Sequence, residues 1–471
     1  MAKIRDVVIV GGGTAGWLTA RYLSSNNNLE ANQMEFNVTL IESEEISPIG
    51  VGEGSWPEFR KLIHSDGLEV GIDLAGTYKF GINYLNWHTN SSSKYNNWTH
   101  PFFHTDSVTA KIRDGNFEFK EWMYPDNPGK ACHFDSFKLQ EVYKNLCVNE
   151  WGIDYIKSNV EQCEFTESGN INSVKLSDGR EIKGDFFIDC SGFKRVLLSN
   201  FDVEYIDLSD TLVCDRALVT HIDGQNSERG YYTKAIALSS GWSWNIPLRD
   251  KTGVGYVYSS QFISDDDAKI EFDNLLDDNI DYRIVPFTTG FVKNSWINNC
   301  AAIGLSSAFF EPMEATSITQ ILQQIKKILS VIRKEKHDDM DTISKYNQAF
   351  TEQSYNIRDY LFSHYRYSNR NDSMFWNSVS NINIPSDLDD RIKEYKNIMI
   401  KMKNFPSTSD PNYNNSINYL RKKGISRPLR YMEHESYLFD AKVRNNFSEN
   451  FFQAGSWIYM LIGYNWENIF E

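Results

Sequence analysis

No CxxC pair occurs among the six cysteines of this 471-residue chain. Cys132, Cys147, Cys163, Cys190, Cys214 and Cys300 are scattered, which excludes a disulfide frame or a zinc site and reads as reduced, buried thiols of a cytoplasmic protein. Proline is scarce, at 12 residues, while Asn, Lys, Ile and Tyr abound; that bias suits an AT-rich genome and carries no chemistry. No apolar run reaches the length that spans a bilayer, and no basic-plus-apolar leader precedes the first strand. A soluble chain that is not exported and has no membrane partner is therefore expected. Positive charge is in deficit: the formal net charge is −15, which would repel a phosphate backbone and excludes a nucleic-acid partner. Internal repeats and low-complexity segments are missing as well.

Aromatic residues, by contrast, make up 14% of the chain, a level that lines pockets for flat apolar ligands or simply fills a core. Two tryptophans and a proline crowd into Gly241-Trp242-Ser243-Trp244-Asn245-Ile246-Pro247, which has the look of a barrier. At the start of the chain a short apolar strand, Lys3 to Val10, runs into Gly11-Gly12-Gly13-Thr14-Ala15-Gly16 and then a helix. That strand–turn–helix context is what a dinucleotide pyrophosphate needs, with Gly11, Gly13, Thr14, Ala15 and Gly16 at the phosphates. Glu42 ends the next strand, Asn37 to Glu42, where a carboxylate can accept hydrogen bonds from a ribose hydroxyl. Gly50-Val51-Gly52-Glu53-Gly54-Ser55 is either a second close approach to the cofactor, through Gly50 and Gly52, or a plain surface turn.

Asp185 to Gly192 reads as a buried strand entering a small-residue turn, and Cys300 to Gly304 repeats the pattern, as strands beneath a cofactor do in a parallel sheet. Apolar residues at Ile318, Ile321, Leu322, Ile325, Ile328, Leu329 and Ile332 predict an amphipathic helix, with Thr316 and Ser317 at its N-terminus. Those two either cap the helix or help its free N–H groups hold an anion. Residues from about 200 to 290 alternate like strands, and beyond about 345 the pattern is mainly helical. The expected architecture is an α/β, Rossmann-like three-layer box interrupted by an inserted sheet and finished by a helical region.

Taken together, these stretches resemble the flavin-dependent halogenases of the tryptophan-halogenase type. The resemblance runs nearly end to end, through the glycine turn, Gly50 to Ser55, Lys79, Asp189-Cys-Ser-Gly-Phe193, Gly241 to Pro247 and Glu311 to Ser317. It continues in His364-Tyr365, Arg370 to Trp376, Ser456-Trp457 and Leu461-Ile462-Gly463, and GWxWxIP is its most specific motif. The resemblance implies an FAD-binding box over residues 1–345, holding the inserted sheet, and a helical substrate lid over 346–471. It implies reduced FAD delivered by a separate NAD(P)H-dependent flavin reductase, O2, a halide ion and a small aromatic substrate. On that resemblance, a flavin hydroperoxide is expected to oxidise the halide to hypohalous acid, which would cross a tunnel to Lys79. By the same resemblance Glu314 would orient the lysine and accept the proton leaving the ring, while Trp242, Trp244, Ile246 and Pro247 would keep the organic substrate from the flavin. Read without the family, Lys79 would more often be a lysine snorkelling to solvent.

The chain departs from the family pattern after Glu314. Ala315-Thr316-Ser317 stands where Ser-Thr-Gly is usual, so a halide nest at Thr316 and Ser317 would be differently shaped and less polar, favouring bromide or iodide over chloride. The free-tryptophan binding loop finds no match within 377–450, so indoles, phenols and larger aromatics are all open as substrates. Competing readings are a flavin-dependent aromatic monooxygenase or oxidoreductase and a non-catalytic flavin-binding protein. A homodimer is the base-rate expectation.

Overall fold

The computed structural model describes residues 4–24, 36–43, 52–88, 97–101, 131–224, 231–277 and 280–393, with 415, 427–429, 438–440, 452, 457 and 460. Its first layer is a six-stranded sheet, ordered Trp296–Ile297, Cys300–Ala302, Phe186–Asp189, Asp6–Val10, Asn37–Glu42 and Asp154–Lys157. All neighbours pair in parallel except the antiparallel edge strand Trp296–Ile297. The central strands are apolar on both faces because both are covered. Val7 and Ile9 pack with the helices Thr14–Ser24 and Thr316–Arg333. Val8 and Val10 face an antiparallel sheet of Val160–Phe165, Ile171–Leu176 and Glu181–Lys183. Helices, parallel sheet and antiparallel sheet are the three layers expected from the sequence.

A second, seven-stranded sheet runs Arg283–Pro286, Arg216–Asp223, Lys251–Tyr258, Gly241–Pro247, Tyr232–Leu238, Gly81–Leu85 and Asn97–Pro101. The last two strands come from far earlier in the chain than the alternating stretch. Tyr232–Leu238 pairs with Gly81–Leu85 in parallel, a non-local junction that no local pattern announces. One face of this sheet joins a large apolar cluster with Phe350, Tyr360, Tyr365 and Trp376 of the helices Met340–Arg366 and Met374–Ser380. The other face packs on the helix Asp265–Leu276.

The apolar stripe read at Ile318 to Ile332 is buried throughout, but so are Thr316, Thr319, Gln320 and Gln324 of the same helix. That helix is thus enclosed on nearly every side, which the 3–4 spacing alone does not reveal. All six cysteines are free and buried. Among the described residues no helix is long and apolar enough to cross a membrane, and no His/Cys/Asp/Glu cluster could hold a metal.

Candidate active site

The glycine turn closes on itself in a way only glycine permits. Gly11 has φ +119°, and a Cβ there would lie 2.2 Å from the Cys190 carbonyl oxygen; one on Gly16 would lie 1.8 Å from the Gly11 carbonyl oxygen. At Gly13 a Cβ would meet nothing within 4 Å, so this turn presents bare backbone to open space at the start of the Thr14–Ser24 helix. The geometry fits a pyrophosphate held by helix N–H groups. Glu42 lies against Gly12, its Oε2 taking the Tyr155 hydroxyl and, at 3.3 Å, the Lys144 ammonium. Gly304, at φ +69°, packs against Ala15, and Gly52, at φ +79°, against Leu248 and Ile246. Gly50 lies outside the described residues.

Asp189 is not free to meet a ligand. It accepts from the backbone N–H groups of Ser191, Leu197 and Leu198 and from the Ser191 and Ser306 hydroxyls, so it pins the turn after its strand.

Lys79 ends the strand Thr77–Lys79, part of a small sheet in which Ala131–Phe134 lies between it and Glu53–Gly54. Its side chain is buried, not snorkelling. A Cβ on Gly54 would come within 2.7 Å of Lys79 Nζ, so the missing side chain of Gly54 makes the space the ammonium occupies. Burial pulls the Lys79 pKa down to about 7, against the Glu314 charge, which pulls it up.

Glu314 closes the short turn Pro312–Glu314 and is fully buried. Its carboxylate accepts from the Tyr84 hydroxyl at Oε1 and from His100 Nδ1 at 2.8 Å on Oε2; His364 Nε2 stands 3.2 Å from Oε1, at ion-pair distance rather than in hydrogen-bond geometry. Burial would raise its pKa, but His100 first and His364 second hold it well below the usual carboxylate range. Burial also lowers the pKa of His364 despite the Glu314 charge. Tyr84 stacks on Trp98, at 4.4 Å, and on His364, at 4.6 Å, and those two rings lie 5.8 Å from each other. The Trp56 indole donates to the Glu314 carbonyl at 2.9 Å.

Sequence reasoning assigned no role to Tyr84, His100 or Gly54, and quoted His364 only as part of a motif. Ile82 pairs with His100 across the edge of the second sheet, so strand pairing, not sequence proximity, delivers that imidazole.

Thr316 begins its 18-residue helix and is fully buried, its hydroxyl meeting no hydrogen-bond partner among the described residues. No side chain caps this helix, and Ser317 lies in its first turn with ordinary helical backbone. The left-handed conformation falls instead on Ala315, at φ +53° and ψ 42°. The backbone departure in the Ala315-Thr316-Ser317 stretch therefore lies at Ala315 and not at Ser317.

Trp242, Trp244 and Ile246 project from one face of their strand into the large apolar cluster, and Pro247, at its end, accepts from the Thr77 hydroxyl at 2.6 Å. That bond ties the Lys79 strand to the tryptophan strand. Gly255 lies under Trp244: a Cβ there would stand 2.1 Å from the ring.

Known proteins resemble this chain in sequence and fold. The family model for tryptophan halogenase matches residues 6–123 and 124–468. Tryptophan 6-halogenase ThaL of Streptomyces albogriseolus is 29% identical over 445 residues, 84% of this chain and 82% of its own length. The 7-chloro-L-tryptophan 6-halogenase KtzR of Kutzneria sp. is 30% identical, over 82% of this chain and 84% of its own. The solved structure of Xcc4156, a flavin-dependent halogenase from Xanthomonas campestris, superposes with a TM-score of 0.76 at 26% identity, covering 98% of this chain and 89% of that one. With a match that spans nearly the whole chain, on a fold that carries both the glycine cradle and the buried Lys79–Glu314 pair, this protein belongs to the tryptophan halogenase family and is a flavin-dependent halogenase.

Proposed function

We propose that this halogenase acts on an electron-rich aromatic ring of the indole or phenol kind, with Lys79 delivering the halogen and Glu314 taking the ring proton. Bound reduced FAD, supplied by a separate NAD(P)H-dependent reductase, would generate hypohalous acid from O2 and a halide. Gly11, Gly13, Thr14, Ala15, Gly16, Glu42, Gly50, Gly52 and Gly304 would hold that cofactor, in a box over residues 1–345 capped by a helical region over 346–471. The working protein is a cytoplasmic homodimer.

The observation that carries this reading is the burial of Lys79 beside an ionised Glu314. An amine with a pKa of about 7 exists at neutral pH both as ammonium, which can hydrogen-bond hypohalous acid, and as free base, which can bond the halogen. A cationic halogenated ring is a strong acid, so a carboxylate stabilised by two imidazoles is still base enough to deprotonate it. Trp242, Trp244, Ile246 and Pro247 would stand between this pair and the flavin, forcing a small oxidant to make the crossing. At the halide, Thr316 and Ser317 would act with helix N–H groups. Ala315 offers no hydroxyl there, which supports a preference for bromide or iodide.

The purified chain with FAD, a generic reductase and bromide, offered an indole and phenol panel, should give brominated product by mass spectrometry. Lys79→Ala should remove product and leave FAD binding intact. Hydroxylated product, or rapid nicotinamide oxidation without the reductase, would point to a monooxygenase instead. Three-way halide competition tests the preference, and clear chloride selectivity would overturn it.

A further inference from the structure

Two fully buried carboxyls bracket the Pro312–Glu314 turn, and their surroundings differ in kind. Glu314 has two imidazoles against it. Glu311 has no cation facing it among the described residues. From the tryptophan strand, the Trp242 indole N–H donates to Glu311 Oε2 at 2.9 Å. From the Met340–Arg366 helix, the Tyr365 hydroxyl bonds the same oxygen, and Cys214 Sγ lies 3.6 Å beyond that hydroxyl. Oε1 is buried with no hydrogen-bond partner among the described residues.

With no cation facing it among the described residues, a carboxylate charge buried there would be uncompensated, whereas the neutral acid can donate to Tyr365, whose own proton then turns toward Cys214. We infer that Glu311 is a positioning residue for the tryptophan wall: as a neutral acid it fixes the Trp242 ring through the indole N–H. Burial pushes its pKa up to about 7, in keeping with this, and burial likewise holds the Cys214 thiol and the Tyr365 phenol well above their ordinary values, so neither supplies a charge in the same range. The cluster then has a built-in pH response. Deprotonating Glu311 near neutrality places a charge behind Trp242 and changes the bond that orients it. This role requires neither the halogenase chemistry nor the two-chamber reading of the wall.

The test uses the whole chain with 15N-indole tryptophan, the Trp242 resonance being assigned by its loss in Trp242→Phe. In the parent that resonance should move with pH through a midpoint near neutrality, and in Glu311→Gln, which keeps an acceptor of the same shape, the movement should vanish. Infrared spectra at about pH 6, where ordinary carboxylates are ionised, should show a protonated-carboxyl band that Glu311→Gln loses. Glu53→Gln controls for the second carboxyl expected there, since burial also pushes Glu53 up to about 7. Persistence of the indole titration in Glu311→Gln, or an unchanged carboxyl band, would overturn the proposal.

Discussion

Lys79 and Glu314 show how burial and partner choice divide the labour between two ordinary side chains. Glu314 is ionised because His100 and His364 outweigh the cost of burial, and Lys79 loses its proton easily because burial outweighs the Glu314 charge beside it. Replacing Glu314 by Gln removes the base and the charge together; a loss of about 10²–10⁴ in turnover is expected, with substrate binding less affected. Single-turnover kinetics would separate the two. Gly54→Ala tests the space around the ammonium. Its new methyl would stand 2.7 Å from Nζ, the mobile end of the lysine, so the chain should fold normally while halogenation falls. Unchanged turnover with unchanged melting temperature would mean that the position of Nζ matters little.

At the scale of elements, the strand Gly241–Pro247 and the helix Thr316–Arg333 carry the site. The tryptophan strand is held by pairing on both edges, by the Trp242–Glu311 bond and by the Thr77–Pro247 bond. Gly255, on the neighbouring strand, leaves room for the Trp244 ring, so Gly255→Val should displace that ring. Peroxide released per turnover should then rise as halogenated product falls, and an unchanged ratio would argue against a barrier. At the start of the helix, Ala315 holds a left-handed conformation that costs a non-glycine residue about 1 kcal/mol. Ala315→Gly should raise stability by up to that amount, read as a denaturation midpoint.

For the molecule as a whole, Glu53, Glu311 and Lys79 are three of the buried groups through which stability depends on pH. Glu53 and Glu311 have folded pKa values near 7, raised above those of the unfolded chain, so unfolding between the ordinary carboxylate range and about pH 7 releases protons. Stability falls with rising pH across that window, by about 1.4 kcal/mol per pH unit for each group once fully developed. Lys79 has the opposite sign, because its folded pKa is depressed to about 7 and unfolding takes up a proton. Its contribution is lost as pH falls from the ordinary lysine value toward 7. In chemical denaturation at several pH values, Glu53→Gln and Glu311→Gln should therefore reduce the fall in stability as pH rises toward 7, and Lys79→Met should reduce the rise above it.

Much of this protein was legible before any coordinates. Strand, glycine turn and helix from Asp6 to Ser24 are local, since the turn needs φ values and backbone approach that only glycine allows, and the Ile318–Ile332 stripe announced its helix by period alone. Lys79, Glu314 and the tryptophan strand were visible as motifs in the chain. Tertiary structure alone decided that Lys79 is buried, that Gly54 makes its space, and that His100 and His364, 264 residues apart in number, converge on one carboxylate. It alone set Glu311 apart from Glu314 as a second buried carboxyl, with no cation facing it among the described residues. The physical reason is common to all of these. Backbone preference and hydrophobic period act over a few residues, whereas a charge's cost, partner and pKa depend on what strand pairing and helix packing bring against it from elsewhere in the chain.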